Sequence, residues 1–415
     1  MESRFFNLIL RLRLIIKSAL KLFKSERSET MSKKEKKVKK INPVSAFLWK
    51  NKKRRAKNFY FILVVLLCTF TVGMGYITEK LDLMDTGDDK IIENIGTTEE
   101  IIFEEEDLEI MQAIDSAGSL NDFLYQWANN GGELYSSKNV INILLVGLDS
   151  KDALKYGGRS DSLILVSLNK KTEKISMCSF FRDSWCYMNL GSRESYAKIN
   201  SSYLYGGPDA LIDTIERNFK IDIDHFVAVD FSSFRDIIDA LGGITVPVQE
   251  YEAAYINRTN PDFHIEAGDA VKLTGKQALV FARIRKSDYD SDVSRTRRQR
   301  QVITSLIQSA KSASLSQLNN TLDTLFAYVK TDLTKSQILS YAAQALTKGW
   351  INYDIQQFTL SDRDVFRTGY VGSSAVVFMD FPLAAQRVQT EIYGESNIVL
   401  DENRAKVFDF VTRFD

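Results

Sequence analysis

The chain has 415 residues, 44% hydrophobic and 26% charged, with only 5 prolines, so it can bury a sizeable core and is not low-complexity. Three cysteines do not make a disulfide framework in a chain of this length, and two histidines leave little material for a Cys/His nucleophilic pair or a histidine-built zinc site. A formal charge of zero hides an asymmetry: residues 1–58 carry 19 Lys and Arg against 4 Glu, or +15, and residues 78–415 carry the other 35 basic and 50 acidic residues, or −15.

Between the two lies FYFILVVLLCTFTVGMGYI, Phe59 to Ile77, an uncharged run close to the ~20 residues that a helix needs to cross a bilayer. It predicts one transmembrane helix over 59–77. The KNKKRRAK cluster before it predicts a basic cytoplasmic tail over 1–58, with the rest of the chain outside the cell as a single-pass membrane protein. No Ala-x-Ala cleavage pattern follows, so an anchor is expected rather than a cleaved signal. Phe5 to Phe23 mixes apolar residues with Arg and Lys, which suits either a helix lying on membrane lipid or an extension ahead of a start at Met31. The polybasic run is read as touching lipid head groups, with no nucleic acid as partner.

Residues 78–137 hold 16 Asp and Glu against 2 Lys and read as an acidic extracellular linker, with a short helix around LNDFLYQWA. From Val140 short apolar strands alternate with amphipathic helices, the texture of an α/β domain. VINILLVGLDS is a strand ending at Asp149, and SLILVSL and ISMCSFF flank NKKTEK as an antiparallel hairpin. PDALIDTIERNFK is a helix with Pro208 in its first turn, HFVAVDF a strand, FSSFRDIIDALGG a helix closed by Gly242, and ITVPVQE a strand. After TGKQALVFARIRK a long helix is expected over Asp292 to Ala313.

The charged residues converge. A hairpin turning near Lys171 and Thr172 sets Asp161 opposite Arg182, so the Arg159/Asp161 and Arg182/Asp183 doublets share one rim that Asp149 also reaches. On the long helix Asp292, Arg295 and Gln299 fall within a ~60° arc that Val302, Ile303, Leu306 and Ala310 continue, whereas Arg297, Arg298 and Arg300 are expected to be solvated. Arg283 and Arg285 would share a side if ARIR is extended. Arginine forks suit phosphate oxygens, and nearby carboxylates suit Mg2+, so the set points to a pyrophosphate bridged by Mg2+. No Walker-type loop or dinucleotide glycine motif is present.

In series, NILLVGLDS, RSDSLILVSLN, FRDSW, KINSSYLYGG, DHFVAVDF, ALGGITVPV, LTGKQALVFARIR and DVSRTRRQRQV resemble the LytR-CpsA-Psr family. The resemblance covers residues 138–395, leaves 396–415 as a tail, and implies an α/β domain with a mixed central sheet flanked by helices. It also implies a membrane-anchored phosphotransferase of Gram-positive envelopes. Such an enzyme moves a glycopolymer, such as a teichoic acid or capsule, from a polyprenyl-pyrophosphate carrier to peptidoglycan as a phosphodiester.

By motif position, the resemblance makes Asp149 and Asp161 the Mg2+ ligands and Arg159, Arg182, Arg283, Arg285 and Arg295 the pyrophosphate-binding residues. Asp292 and Gln299 match polar site positions, and Asp183 or Asp292 is the base. Two positions depart from the family pattern. Phe181 stands where members have Pro before Arg-Asp, and Lys151 stands where they often have Arg. A lipid-pyrophosphate hydrolase and a non-enzymatic polymer-binding protein are the alternatives. An inward-facing Asp292, Arg295 and Gln299 argue against the latter, because binding a polyanion at the surface needs no buried acid.

Overall fold

The computed structural model describes residues 118–149, 157–191, 193–285, 291–312 and 329–410. The expected membrane helix at 59–77, the basic tail and most of the acidic linker lie outside the described residues. Among the described residues no helix is long and apolar enough to cross a membrane.

Helix α1 (Gly118–Asn130) supplies the helix expected around LNDFLYQWA, and it belongs to the domain rather than to a linker, because Leu120, Leu124 and Ala128 are buried in the main core. Strands β1 (Val140–Leu148) and β2 (Ser160–Asn169), rich in Val, Ile and Leu, pair antiparallel, and β3 (Lys174–Ser179) follows through the turn. β4 (Trp185–Asn189) and β5 (Glu194–Lys198) make a separate hairpin. α2 (Ser201–Phe219) is kinked at Gly206 and Gly207, the latter at φ 67°, and resumes at Pro208, where a missing N–H breaks no helical bond.

β6 (His225–Asp230) ends in Asp230, whose carboxylate accepts the Ser233 N–H at 2.8 Å and caps α3 (Phe231–Ala240). β7 (Ile244–Val248), α4 (Glu250–Thr259) and β8 (Gly268–Leu273) form a hairpin with a helical insert. α5 (Gly275–Arg283) opens on a capping box between Thr274 and Gln277, and α6 (Ser291–Ser312) is the long helix. β9 (Lys330–Thr331), α7 (Lys335–Thr347), β10 (Asp354–Thr359), β11 (Phe366–Val371), β12 (Ser374–Met379), α8 (Phe381–Tyr393) and the short α9 (Val407–Phe410) follow. The segment after 395 is not all free tail, since Ile398 and Val407 are buried.

The central sheet has six strands in the order β10-β3-β2-β1-β6-β9, parallel at β10/β3 and β1/β6 and antiparallel elsewhere, which is the mixed sheet expected. Period-two alternation gives its faces different tasks. Leu144, Leu165 and Phe226 share a row on the face covered by α2 and α8. There Phe219 packs 4.3 Å from Phe180 and 5.4 Å from Phe381, ring to ring. Phe219→Ala should cost about 3–5 kcal/mol, measured as a lower denaturation midpoint. The opposite face carries two rows, Leu145/Ile164/Val227 and Gly147/Ser162/Val229, turned towards α3, α5 and α6.

Cys178 on β3 and Cys186 on β4 are both buried and free, and burial pushes the Cys178 thiol to about 12. At the end of α2, Glu216 accepts the Ile223 N–H at 2.9 Å, and burial raises its carboxyl from 4.5 to about 6. A raised acid binds its proton more tightly when folded, so this contribution to stability is full below pH 4.5 and lost as pH rises through about 6. Tm followed from pH 4 to 7 should therefore fall more in the wild type than in Glu216→Gln, which has no proton to lose.

Candidate active site

The rim of the sheet owes its chemistry to an irregularity. Gly147 pairs with Ser162 and then Leu148 with Ser160, which leaves Asp161 as the extra residue of a β-bulge. Strict alternation would send Asp161 to the face opposite Ser162, but with the bulge both line one cavity. The β2–β3 register, Ile164 opposite Ser179, carries on to set Asp161 against Arg182, and the two form the ion pair that hairpin geometry predicted.

Asp183 gathers three cations. Its Oδ2 lies 3.4 Å from Arg182 Nε and 3.8 Å from Arg285 Nη2, and its Oδ1 lies 3.7 Å from Lys198 Nζ. Burial pulls the Arg182 guanidinium down, but Asp161 and Asp183 outweigh it and hold the group above its ordinary value. Lys198 was missed in the sequence reading. The signal for it is the WCYMN/ESYAK hairpin, whose register pairs Lys198 with Trp185, two residues after Asp183.

On α6 Arg295 and Gln299 line the cavity, and Asp292 pairs with Arg295 outside its lining. Arg295 is only 4% exposed, its Nη2 sits 3.2 Å from Asp292 Oδ2, and its Nε has no partner among the described residues. Burial pulls its guanidinium down to about 10 against the opposing pull of Asp292. Asp292 Oδ1 lies 3.4 Å from Arg285 Nη2 but accepts no hydrogen bond among the described residues. Gln299 Oε1 accepts the Ser162 hydroxyl at 3.1 Å, a contact that joins α6 to β2 and adds Ser162 to the site.

Three expectations need correction. ARIR is not extended: Arg283 ends α5 and Arg285 follows Ile284, yet both reach the cavity, with Arg283 lying over the Phe231 ring at 4.5 Å from its centroid. Arg298 and Arg300 are buried, not solvated, because the sheet and the β7–β8 unit both pack on α6; Arg298 meets Glu252 at 3.0 Å and Arg300 meets the Ser179 hydroxyl at 2.7 Å. Of the three arginines expected in water only Arg297 is exposed. Asp149 and Arg159 reach the rim but do not line the cavity; the Arg159 N–H donates to Asp149 Oδ1 at 3.1 Å.

The cavity measures about 300 Å³ and lies between the sheet and α3, α5 and α6. Arg295, Gln299, Ile303 and Leu306 follow one another along its α6 wall, so one end is charged and the other apolar. The apolar part is floored by Leu145, Ile164 and Val227 and walled by Phe234 and Leu279. Arg182, Arg283, Arg285 and Arg295 line the charged end with Asp161, while Asp183, Asp292 and Lys198 pair with or lie beside them outside the lining; the whole set carries an excess of two positive charges, which suits a diphosphate.

Asp149 and Asp161 each give Oδ1 to a protein donor, and Oδ2 of each meets no donor among the described residues. No group of three or more Asp, Glu, His or Cys gathers among the described residues. A pair of carboxylates completed by phosphate oxygens and water would suit magnesium, which keeps several waters, better than an ion needing a full protein cage.

A family model described as the LytR_cpsA_psr family matches residues 109–380. The chain is 37% identical over 199 residues to a Halalkalibacterium halodurans protein named polyisoprenyl-teichoic acid–peptidoglycan teichoic acid transferase TagU, covering 48% of this chain and 62% of the relative. It is 37% identical over 214 residues to the protein of that name from Oceanobacillus iheyensis, covering 50% and 63%. The matched part thus spans less than two thirds of these relatives' lengths. Among solved structures, the fold resembles gbs0355 from Streptococcus agalactiae, with a TM-score of 0.53, 26% identity, and coverage of 63% of this chain and 91% of that one. It also resembles TagT bound to LI-WTA, with a TM-score of 0.50, 25% identity, and coverage of 63% and 93%.

Proposed function

The chain belongs to the LytR-CpsA-Psr family, and from that premise we propose that it transfers a glycopolymer from a polyprenyl-pyrophosphate carrier to peptidoglycan. The names of its relatives favour a teichoic acid as the polymer. One observation carries the reading: an apolar cavity ends in a cluster of arginines, which matches an isoprenoid tail joined to a pyrophosphate.

An acceptor hydroxyl oxygen attacks the phosphorus next to the glycan, the bond from that phosphorus to the bridging oxygen breaks, and polyprenyl phosphate leaves. Arg182, Arg283, Arg285 and Arg295 orient the two phosphates and stabilise the charge that develops on them. The hydroxyl proton passes to a carboxylate. Asp183 and Asp292 are the candidates, and each has both of its oxygens within 4 Å of cations of the site. Magnesium, held by Asp149 and Asp161, would supply further neutralisation of the phosphate oxygens.

The deciding assay measures release of polyprenyl phosphate from a synthetic lipid-pyrophosphate sugar with and without a peptidoglycan acceptor. Release that needs the acceptor, with the sugar recovered on peptidoglycan through a phosphodiester, is expected. Equal release without it would make water the acceptor and the protein a hydrolase. No release, with firm polymer binding, would leave a binding protein.

The same reading places the domain outside the cell behind the 59–77 anchor, supported by the +15 and −15 charges on its two sides. Protease added to intact protoplasts should degrade residues after Ile77. Full protection would reverse the orientation and separate the site from peptidoglycan.

A further inference from the structure

Arg298 is fully buried and touches neither the cavity nor the carboxylates of the site. Its Nη1 donates to Glu252 Oε1 at 3.0 Å and lies 3.4 Å from the Tyr251 hydroxyl, while its Nη2 donates to the Ile284 carbonyl at 2.7 Å. Glu252 is itself buried, and its Oε2 accepts the Gln249 N–H at 2.9 Å at the start of α4. Ile284 is the one residue between Arg283 and Arg285, and its side chain is buried in the cluster beneath the β7–β8 hairpin.

Both the side chain and the carbonyl of Ile284 are therefore held, and the arginines on either side leave a fixed piece of backbone. Arg283 turns onto the Phe231 ring and Arg285 turns to Asp183 and Asp292.

We infer that Arg298 is a positioning residue for the pyrophosphate grip: its fork holds the Ile284 carbonyl and so aims Arg283 and Arg285 into the cavity. The inference rests on the reading of the charged end as a pyrophosphate site. Fold stability alone gives a weak reason for this arrangement, since buried Arg–Glu pairs are often replaceable by apolar residues without loss. Glu252 also has Arg297 Nη2 at 3.8 Å, so the contact that sets Arg298 apart is the one to the backbone between two site arginines. Lysine, a point charge without a fork, cannot serve Glu252 and that carbonyl together.

The test is a double-mutant cycle on the full-length protein in detergent, with geranylgeranyl pyrophosphate as the calorimetric probe and Tm recorded for each variant. Arg298→Lys is expected to weaken probe binding about tenfold, and combining it with Arg285→Lys should add little to the stronger single effect, because both changes act on the same contact. Effects that multiply would make Arg298 an independent structural residue and overturn the inference. If Arg298→Lys shows no folding transition, Glu252→Gln carries the test. It removes the ion pair but keeps the bond to Ile284, so probe affinity should stay within about twofold of wild type while Tm falls. A tenfold loss there would assign the effect to the ion pair and overturn the inference. Absence of probe binding by the wild type would overturn the pyrophosphate reading and this inference with it, whereas wild-type binding with independent effects sinks only the role of Arg298.

Discussion

Arg295→Lys is expected to lower turnover by about a hundredfold or more while the domain stays folded. Arg295 is buried on the wall of the cavity, spends Nη2 on Asp292, and keeps Nε without a partner among the described residues, so part of its fork is available to a phosphate oxygen. Lysine can keep the contact to Asp292 but has no second arm. It also brings a weaker hold on its proton. Burial pulls even the guanidinium to about 10, and a lysine starts about two units lower, so the substituted ammonium is drawn towards neutrality near physiological pH. Activity of Arg295→Lys should therefore fall as pH rises through the neutral range, over which the wild-type guanidinium stays charged. Rates measured across pH 6 to 9, with Tm as the control for folding, check both parts. Turnover close to wild type at every pH would remove Arg295 from the site.

Asp161→Asn should reduce turnover by about a thousandfold, because the substitution removes two contributions at once. The neutral amide no longer balances Arg182, which is then left with Asp183 as its charge partner, and it is a poor ligand for magnesium. Asp149→Asn should be milder, since Asp149 lies outside the cavity and does not hold Arg182. Chelation separates the two contributions. If the metal takes part, wild-type activity is lost in chelator and restored by magnesium, and Asp161→Asn needs a higher magnesium concentration for what activity remains. Indifference of the wild type to chelator would reduce Asp161 to the partner of Arg182. A circular dichroism spectrum unchanged in Asp161→Asn would show that the loss is chemical, since one bulge residue at a sheet rim carries little of the core.

Much of this site follows from local periodicity. The turn at NKKTEK sets the register that brings Asp161 to Arg182, and helical spacing alone puts Arg295 and Gln299 on the cavity wall with Asp292 one turn before them, paired to Arg295. These relations hold within one hairpin or one helix, where the covalent chain is the ruler. Where separate elements meet, residue types point to a shared site for Arg182, Arg283, Arg285 and Arg295 but not to the contacts made there.

The bulge that turns Asp161 into the cavity arises from the pairing of β2 with β1, and the place of Lys198 beside Asp183 depends on how a separate hairpin sits against the sheet rim. Charge patterning left Arg298 and Arg300 in water because an amphipathic helix is assumed to have one covered side. α6 is covered by the sheet on one side and by the β7–β8 unit on another, so polar residues there are buried and must find Glu252, the Ile284 carbonyl and Ser179. Periodicity reports which side of an element is apolar; only tertiary packing decides how many sides are covered, and that decision turned two expected surface arginines into interior ones.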